Sequence, residues 1–121
     1  MTIDSNILIS YLNGERLTVE TLSEWEKEGR TLFISSVSVC EVLSLPHLDN
    51  NDINGIKIYL EGFISVSFDD KIAETAALLR RLYRLSMADA AIGATAIRYE
   101  VPLVTRDQDF RAVKEIQIVE I

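Results

Sequence analysis

Pro102-Leu103-Val104-Thr105-Arg106-Asp107-Gln108-Asp109-Phe110 is the stretch on which the fold of this chain is read. A proline introduces it, and three β-prone residues follow, which predicts a short strand over 103–105. Two acids follow that strand at once. Open α/β sheets bind their ligands beyond the carboxyl ends of their strands, so a strand that runs directly into carboxylates points to a site as well as to an element.

The same arrangement recurs at the start of the chain, where Thr2-Ile3 runs into Asp4. Residues 5–13 then read as a helix with Ile7, Leu8, Tyr11 and Leu12 on one face. Further helices are expected over 18–28, 36–45, 50–60, 70–84 and 89–99, and further strands over 31–35, 63–68 and 117–120. Gly29 is the expected stop of the second helix, and Asn51 or Asp52 the expected cap of the helix at 50–60. Ala90, Ala91, Gly93, Ala94 and Ala96 give the helix at 89–99 a surface that admits close neighbours. Strands alternating with helices predict an α/β fold with a central, mostly parallel sheet.

Four positions put carboxylates inside apolar runs or at element ends. They are Asp4, Glu41 in Val39-Cys40-Glu41-Val42, Asp89 in Met87-Ala88-Asp89-Ala90-Ala91-Ile92, and Asp107 with Asp109. A buried charge is costly unless it is paired or binds a metal. Converging carboxylates repel one another, and a hard dication such as Mg²⁺ or Mn²⁺, which prefers oxygen ligands, removes that repulsion.

At 121 residues and 48% hydrophobic content, a single domain over residues 1–121 with a substantial core is expected. No run of 18 apolar residues is present, so no membrane span is expected. Cys40 is the only cysteine, which excludes an internal disulfide and fits a cytoplasmic protein. A net charge of −7 argues against nucleic-acid binding. Two bound dications would offset it by about +4, and a local basic rim is compatible with it.

In order and spacing, Asp4-Ser5-Asn6, Glu41-Val42-Leu43, Asp89-Ala90-Ala91-Ile92-Gly93-Ala94-Thr95-Ala96 and Leu103 to Phe110 resemble the PIN-domain ribonucleases, in particular the VapC-like toxins of toxin–antitoxin pairs. The resemblance covers essentially the whole chain. It implies a three-layer α/β sandwich with helices flanking the sheet. It further implies an Mg²⁺- or Mn²⁺-dependent endoribonuclease, a homodimer, and neutralisation by a cognate antitoxin. One or two metal ions would be held by Asp4, Glu41, Asp89 and Asp107, with Asp109 a further ligand or a residue that orients one. They would activate a water and stabilise charge at phosphorus. Asn6 and Thr105 are candidates for orienting the carboxylates. Members of the family often carry a basic residue shortly before the third acid. Here the nearest are Arg80, Arg81 and Arg84, which are candidates for contact with the RNA backbone. Leu22 and Trp25 are expected to present an apolar surface to the antitoxin.

Each of these residues also has a plain structural reading. Ser38-x-x-Glu41 and Ser86-x-x-Asp89 match capping boxes, Asp4 can cap the helix after it, and Asp107 and Asp109 suit a turn. A run of arginines such as Arg80, Arg81 and Arg84 is more often a solvated helix face. His47 follows Pro46 in an expected loop, far in sequence from the acids, so no general-base role is expected of it. Two rivals to the toxin reading remain. One is a nuclease of RNA processing or repair without an antitoxin, and the other is an inactive binding module of the same fold.

Overall fold

A computed structural model describes residues 1–121. The strands are β1 (Thr2–Ile3), β2 (Phe33–Ser35), β3 (Ile64–Val66), β4 (Leu103–Val104) and β5 (Ile118–Val119). The helices are α1 (Ser5–Leu12), α2 (Arg16–Lys27), α3 (Ser36–Leu43), α4 (Asn50–Leu60), α5 (Asp70–Tyr83) and α6 (Met87–Arg98). One five-stranded sheet runs in the order β3-β2-β1-β4-β5, and every pairing in it is parallel. The antiparallel edge that a mostly parallel sheet allows is absent.

Parallel neighbours need crossover connections, and here those connections carry the helices that cover both faces of the sheet. Alternation along the strands divides the core in two. Leu103 joins Ile72, Leu79, Ile92 and Phe110 beneath α5 and α6. Its neighbour Val104 joins Ile3, Ile7, Leu8, Ile34, Val42 and Ile56 on the opposite face. The result is the three-layer sandwich expected from the sequence.

Several boundaries differ from the sequence reading, for local reasons. Gly29 does end α2: with φ +72° it lets its own N–H reach Glu26 O at 3.0 Å and the Arg30 N–H reach Trp25 O at 3.0 Å. The cap of α4 is Asp49, two or three residues earlier than expected, in a reciprocal box with Asp52. Helix α3 is capped by Ser35, so Ser38 and Glu41 lie inside the helix and form no capping box. Helix α6 begins at Met87, with Ser86 as cap and Asp89 in its first turn. A Cβ added at Gly93 would lie 3.1 Å from Ile116 and 3.2 Å from Leu79, so the small-residue surface of α6 admits its neighbours closely.

Candidate metal centre at the carboxyl edge of the sheet

Pairing of β1 with β4 matches Ile3 with Val104, so the chain continues from both strands into adjacent positions at the carboxyl edge. Those positions are Asp4 and Thr105. Asp4 has the extended backbone of an N-cap, but its side chain makes no capping bond and is only 2% exposed. Its Oδ2 instead accepts a 2.6 Å hydrogen bond from Thr105 Oγ1. The same Thr105 oxygen accepts the Asp107 N–H at 3.0 Å. One buried hydroxyl therefore ties together two candidate acids more than a hundred positions apart. Asp107 in turn caps a 3-10 turn (Gln108–Ala112), its Oδ1 accepting the Asp109 N–H at 2.9 Å.

Glu41 is held from a different direction. Ser5 Oγ donates to Glu41 Oε1 at 2.7 Å, and Ser38 Oγ lies 2.9 Å from the same Ser5 oxygen. A hydroxyl has one proton to give, so Ser38 is the donor in the second bond. Ser5 and Ser38 were not among the residues expected to serve the site. The available signal was that Ser5 directly follows Asp4, and that Ser38 precedes Glu41 by three residues on one helix face. Asn6 is exposed on α1 and makes no hydrogen bond to a carboxylate.

Asp89, half-buried at the start of α6, completes the set. Single carboxylate oxygens of Asp89, Asp107 and Asp109 all lie within 4.8 Å of one another. Asp4 and Glu41 stand outside that trio but act on it electrostatically. Burial, then the charges of Asp107 and Asp4, push the Asp89 carboxyl up to about 6; a hydrogen bond with Ser86 opposes the shift, and Glu41 adds to it. Burial likewise raises Asp4, against the stabilising bonds from Thr105 and the Ser5 backbone; Asp107 and Glu41 raise it further. The donors are all oxygens. Two ligands on opposite sides of Mg²⁺ are about 4 Å apart, so the trio, spread over no more than 4.8 Å, needs only a small contraction to close on such an ion. These residues fit such an ion.

The loop bearing Thr105 and Asp107 is also anchored from outside. Arg106 Nη1 donates to both Glu15 oxygens at 3.0 and 2.9 Å, Nη2 to Thr18 Oγ1 at 3.0 Å, and Nε to Ile121 O at 2.7 Å. Arg80, Arg81 and Arg84 lie together at the end of α5, lining one groove with Ala77 and Leu85. His47 is exposed in the loop between α3 and α4. Of the two residues expected to face a partner, Leu22 is in the core, 3% exposed, and so presents nothing outward. Trp25 is half-buried beneath the Arg30 guanidinium. No helix is long and apolar enough to cross a membrane.

The PIN domain family model matches residues 1–116. Compared with curated proteins, the chain has no match. Among solved structures it is similar to a toxin–antitoxin complex from Klebsiella pneumoniae, at 29% identity over 99% of this chain and 98% of that one, with a TM-score of 0.84. It shares its fold with VapBC2 from Rickettsia felis bound to a promoter DNA fragment, at 19% identity, 99% and 97% coverage and a TM-score of 0.84. DNA-bound VapBC from Salmonella typhimurium gives 17% identity, 98% and 96% coverage and a TM-score of 0.83.

Proposed function

The chain belongs to the PIN domain family, and from that premise we propose that it is an endoribonuclease toxin that hydrolyses RNA with one or two Mg²⁺ or Mn²⁺ ions. The observation that carries this reading is the meeting of Asp89, Asp107 and Asp109 oxygens within 4.8 Å at the carboxyl edge of the sheet. In this reading the trio holds the ion, and Asp4 and Glu41 complete its surroundings. When bound, the ion supplies an acidified water and neutralises charge at phosphorus. The chain itself supplies orientation. Thr105 fixes Asp4 and the backbone of Asp107, Ser5 and Ser38 fix Glu41, and Arg106 holds the loop against the α1–α2 turn. Direct attack by water needs no side-chain nucleophile, and the two serines at the site, Ser5 and Ser38, are engaged in holding Glu41.

Incubation of single-stranded RNA with the purified protein tests the reading. Cleavage is expected in Mg²⁺ or Mn²⁺ and is lost in EDTA. Equal cleavage with and without chelator, or none in any metal, overturns it. Thr105→Val keeps the side-chain volume but removes both hydroxyl bonds. Loss of an outer-shell partner of this kind costs about 10- to 100-fold in metal affinity. A metal titration of the folded variant checks this, and unchanged affinity removes Thr105 from the orienting role.

The partner in this reading is a cognate antitoxin, and the toxin is a homodimer in the cytoplasm. The likeness to the Klebsiella toxin–antitoxin complex over nearly the full length supports a partner. A cluster of carboxylates that attracts dications also attracts a guanidinium, which pairs with carboxylates through a rigid fork of donors. A basic side chain of the antitoxin is therefore expected to occupy the cluster in competition with Mg²⁺. Titrating the antitoxin with and without millimolar Mg²⁺ tests this: affinity falls in metal, and it falls also when the basic residues of the antitoxin tail are replaced by Ala. If both titrations match the unmodified one, the antitoxin acts elsewhere on the surface.

A further inference from the structure

We propose that Arg80, Arg81 and Arg84 form a phosphate-binding groove along which a single RNA strand reaches the carboxylate cluster; this rests on the nuclease reading above. A chain with 19 acids and 12 Lys and Arg residues carries a net charge of −7 and repels a polyanion. Its catalytic edge, itself a set of carboxylates, adds to that repulsion. A strand needs a local cationic track, and the structure has one place where guanidiniums gather without acids.

The ion pairs of this protein use Arg16, Arg30, Arg106 and Arg111. Arg80, Arg81 and Arg84 have no carboxylate within pairing distance, although acids outnumber bases. All three line the same open groove, floored by Ala77 and Leu85. Only Arg80 has a protein partner, a long 3.4 Å donation from Nε to Leu85 O, so its terminal nitrogens stay free. Cations in a last helical turn complement the helix dipole, which accounts for Arg80 and Arg81 in part. Arg84, the C-cap of α5 with φ +57°, brings a third guanidinium to the same groove.

The groove adjoins the candidate metal centre through the chain itself. Arg84 is followed by Leu85, the cap Ser86 and then the first turn of α6, which bears Asp89. Five residues span at most about 18 Å, so a short length of strand bridges the arginines and the trio. Guanidinium forks match phosphate oxygens bidentately, and every phosphate of a strand offers the same acceptors, so the groove would bind without reading sequence.

The test is binding of a labelled single-stranded RNA oligonucleotide in EDTA, followed by fluorescence anisotropy at several salt concentrations. Replacing the three arginines by Gln should lower affinity about a hundredfold at ~0.1 M salt and flatten the log–log salt dependence by about 2. Arg81→Gln with Arg84→Gln, which spares the bond from Arg80 to Leu85, should show roughly two-thirds of that change in slope. Lys27→Gln, Lys57→Gln and Arg98→Gln together remove the same charge from exposed sites elsewhere and should change much less. Variants that match this control overturn the groove, and so does a triple variant whose only change is in oligomeric state, which would mark the face as a contact between copies. Retained stabilisation by Mg²⁺ in the variants, with RNA affinity lost, separates the groove from the metal centre. An unmodified protein that binds Mg²⁺ but no RNA overturns the groove and the nuclease reading together.

Discussion

Asp107→Asn is expected to lower the proposed metal-dependent RNA cleavage by roughly a hundredfold or more while the chain stays folded. The lower bound follows from outer-shell partners, whose loss alone costs about 10- to 100-fold; a residue whose oxygen belongs to the trio is expected to cost at least the upper figure. Asn is the informative substitution here. It keeps an oxygen that accepts the Asp109 N–H and so preserves the cap of the 3-10 turn, while removing the charge. Asp107→Ala removes both and confounds local unravelling with loss of a ligand. Cleavage measured beside melting temperature distinguishes the two. Should Asp107→Asn keep more than half of the activity, the carboxylate is not a ligand and the trio is turn chemistry. Asp89→Asn is expected to behave in the same way.

Saturating Mg²⁺ or Mn²⁺ is expected to raise the melting temperature by roughly 10 °C near pH 7.5, and by less near pH 5. A ligand that binds only the folded state, present at about a hundred times its Kd, contributes ~2.7 kcal/mol. For a domain of this size that is on the order of 10 °C. The pH dependence follows from the carboxyls raised by burial and by one another. Asp89 titrates at about 6 in the folded chain, against an ordinary value of 3.8. Below about pH 4 it is protonated in both states and costs nothing. Between about pH 4 and 6 the unfolded chain releases the proton first, so stability falls as pH rises, and the full penalty is present above pH 6. Asp4 shifts in the same direction. A dication cancels that penalty above pH 6 and must displace protons below it, so its effect shrinks toward acid pH. Asp89→Asn should raise the metal-free melting temperature at pH 7.5 and blunt the response to metal. Equal melting in EDTA and in millimolar metal at pH 7.5 rules out the centre, and an equal rise at both pH values rules out the role of the raised carboxyls.

Local chemistry made much of this protein readable from its sequence. The strand read over 103–105 is present as β4, and its successive residues Leu103 and Val104 fall into the two separate cores. Helical spacing marked the face of α1, and the run of small residues in α6 marked a close-packed helix, all seven residues from Ala90 to Ala96 being buried. The acids were visible because carboxylates inside apolar runs conflict with the cost of burying charge. Each of those signals lies within one strand pleat or one helical turn, where neighbouring side chains report on one another directly.

Tertiary structure alone decided which of these residues meet. Asp4 and Thr105 share a hydrogen bond because β1 and β4 are neighbours in register, an outcome of how the crossover helices pack and not of any local propensity. Ser5 reaches Glu41 only because α1 and α3 lie side by side at the same edge. Asp109, which the sequence left between a ligand and a turn residue, joins the trio because the 3-10 turn capped by Asp107 brings its carboxylate round. Leu22, one of the two residues expected to face a partner, went into the core instead, since helical spacing shows that α2 has an apolar face but not what covers it. Contacts across such distances in sequence depend on chain crossings and packing volumes that no single window of residues contains.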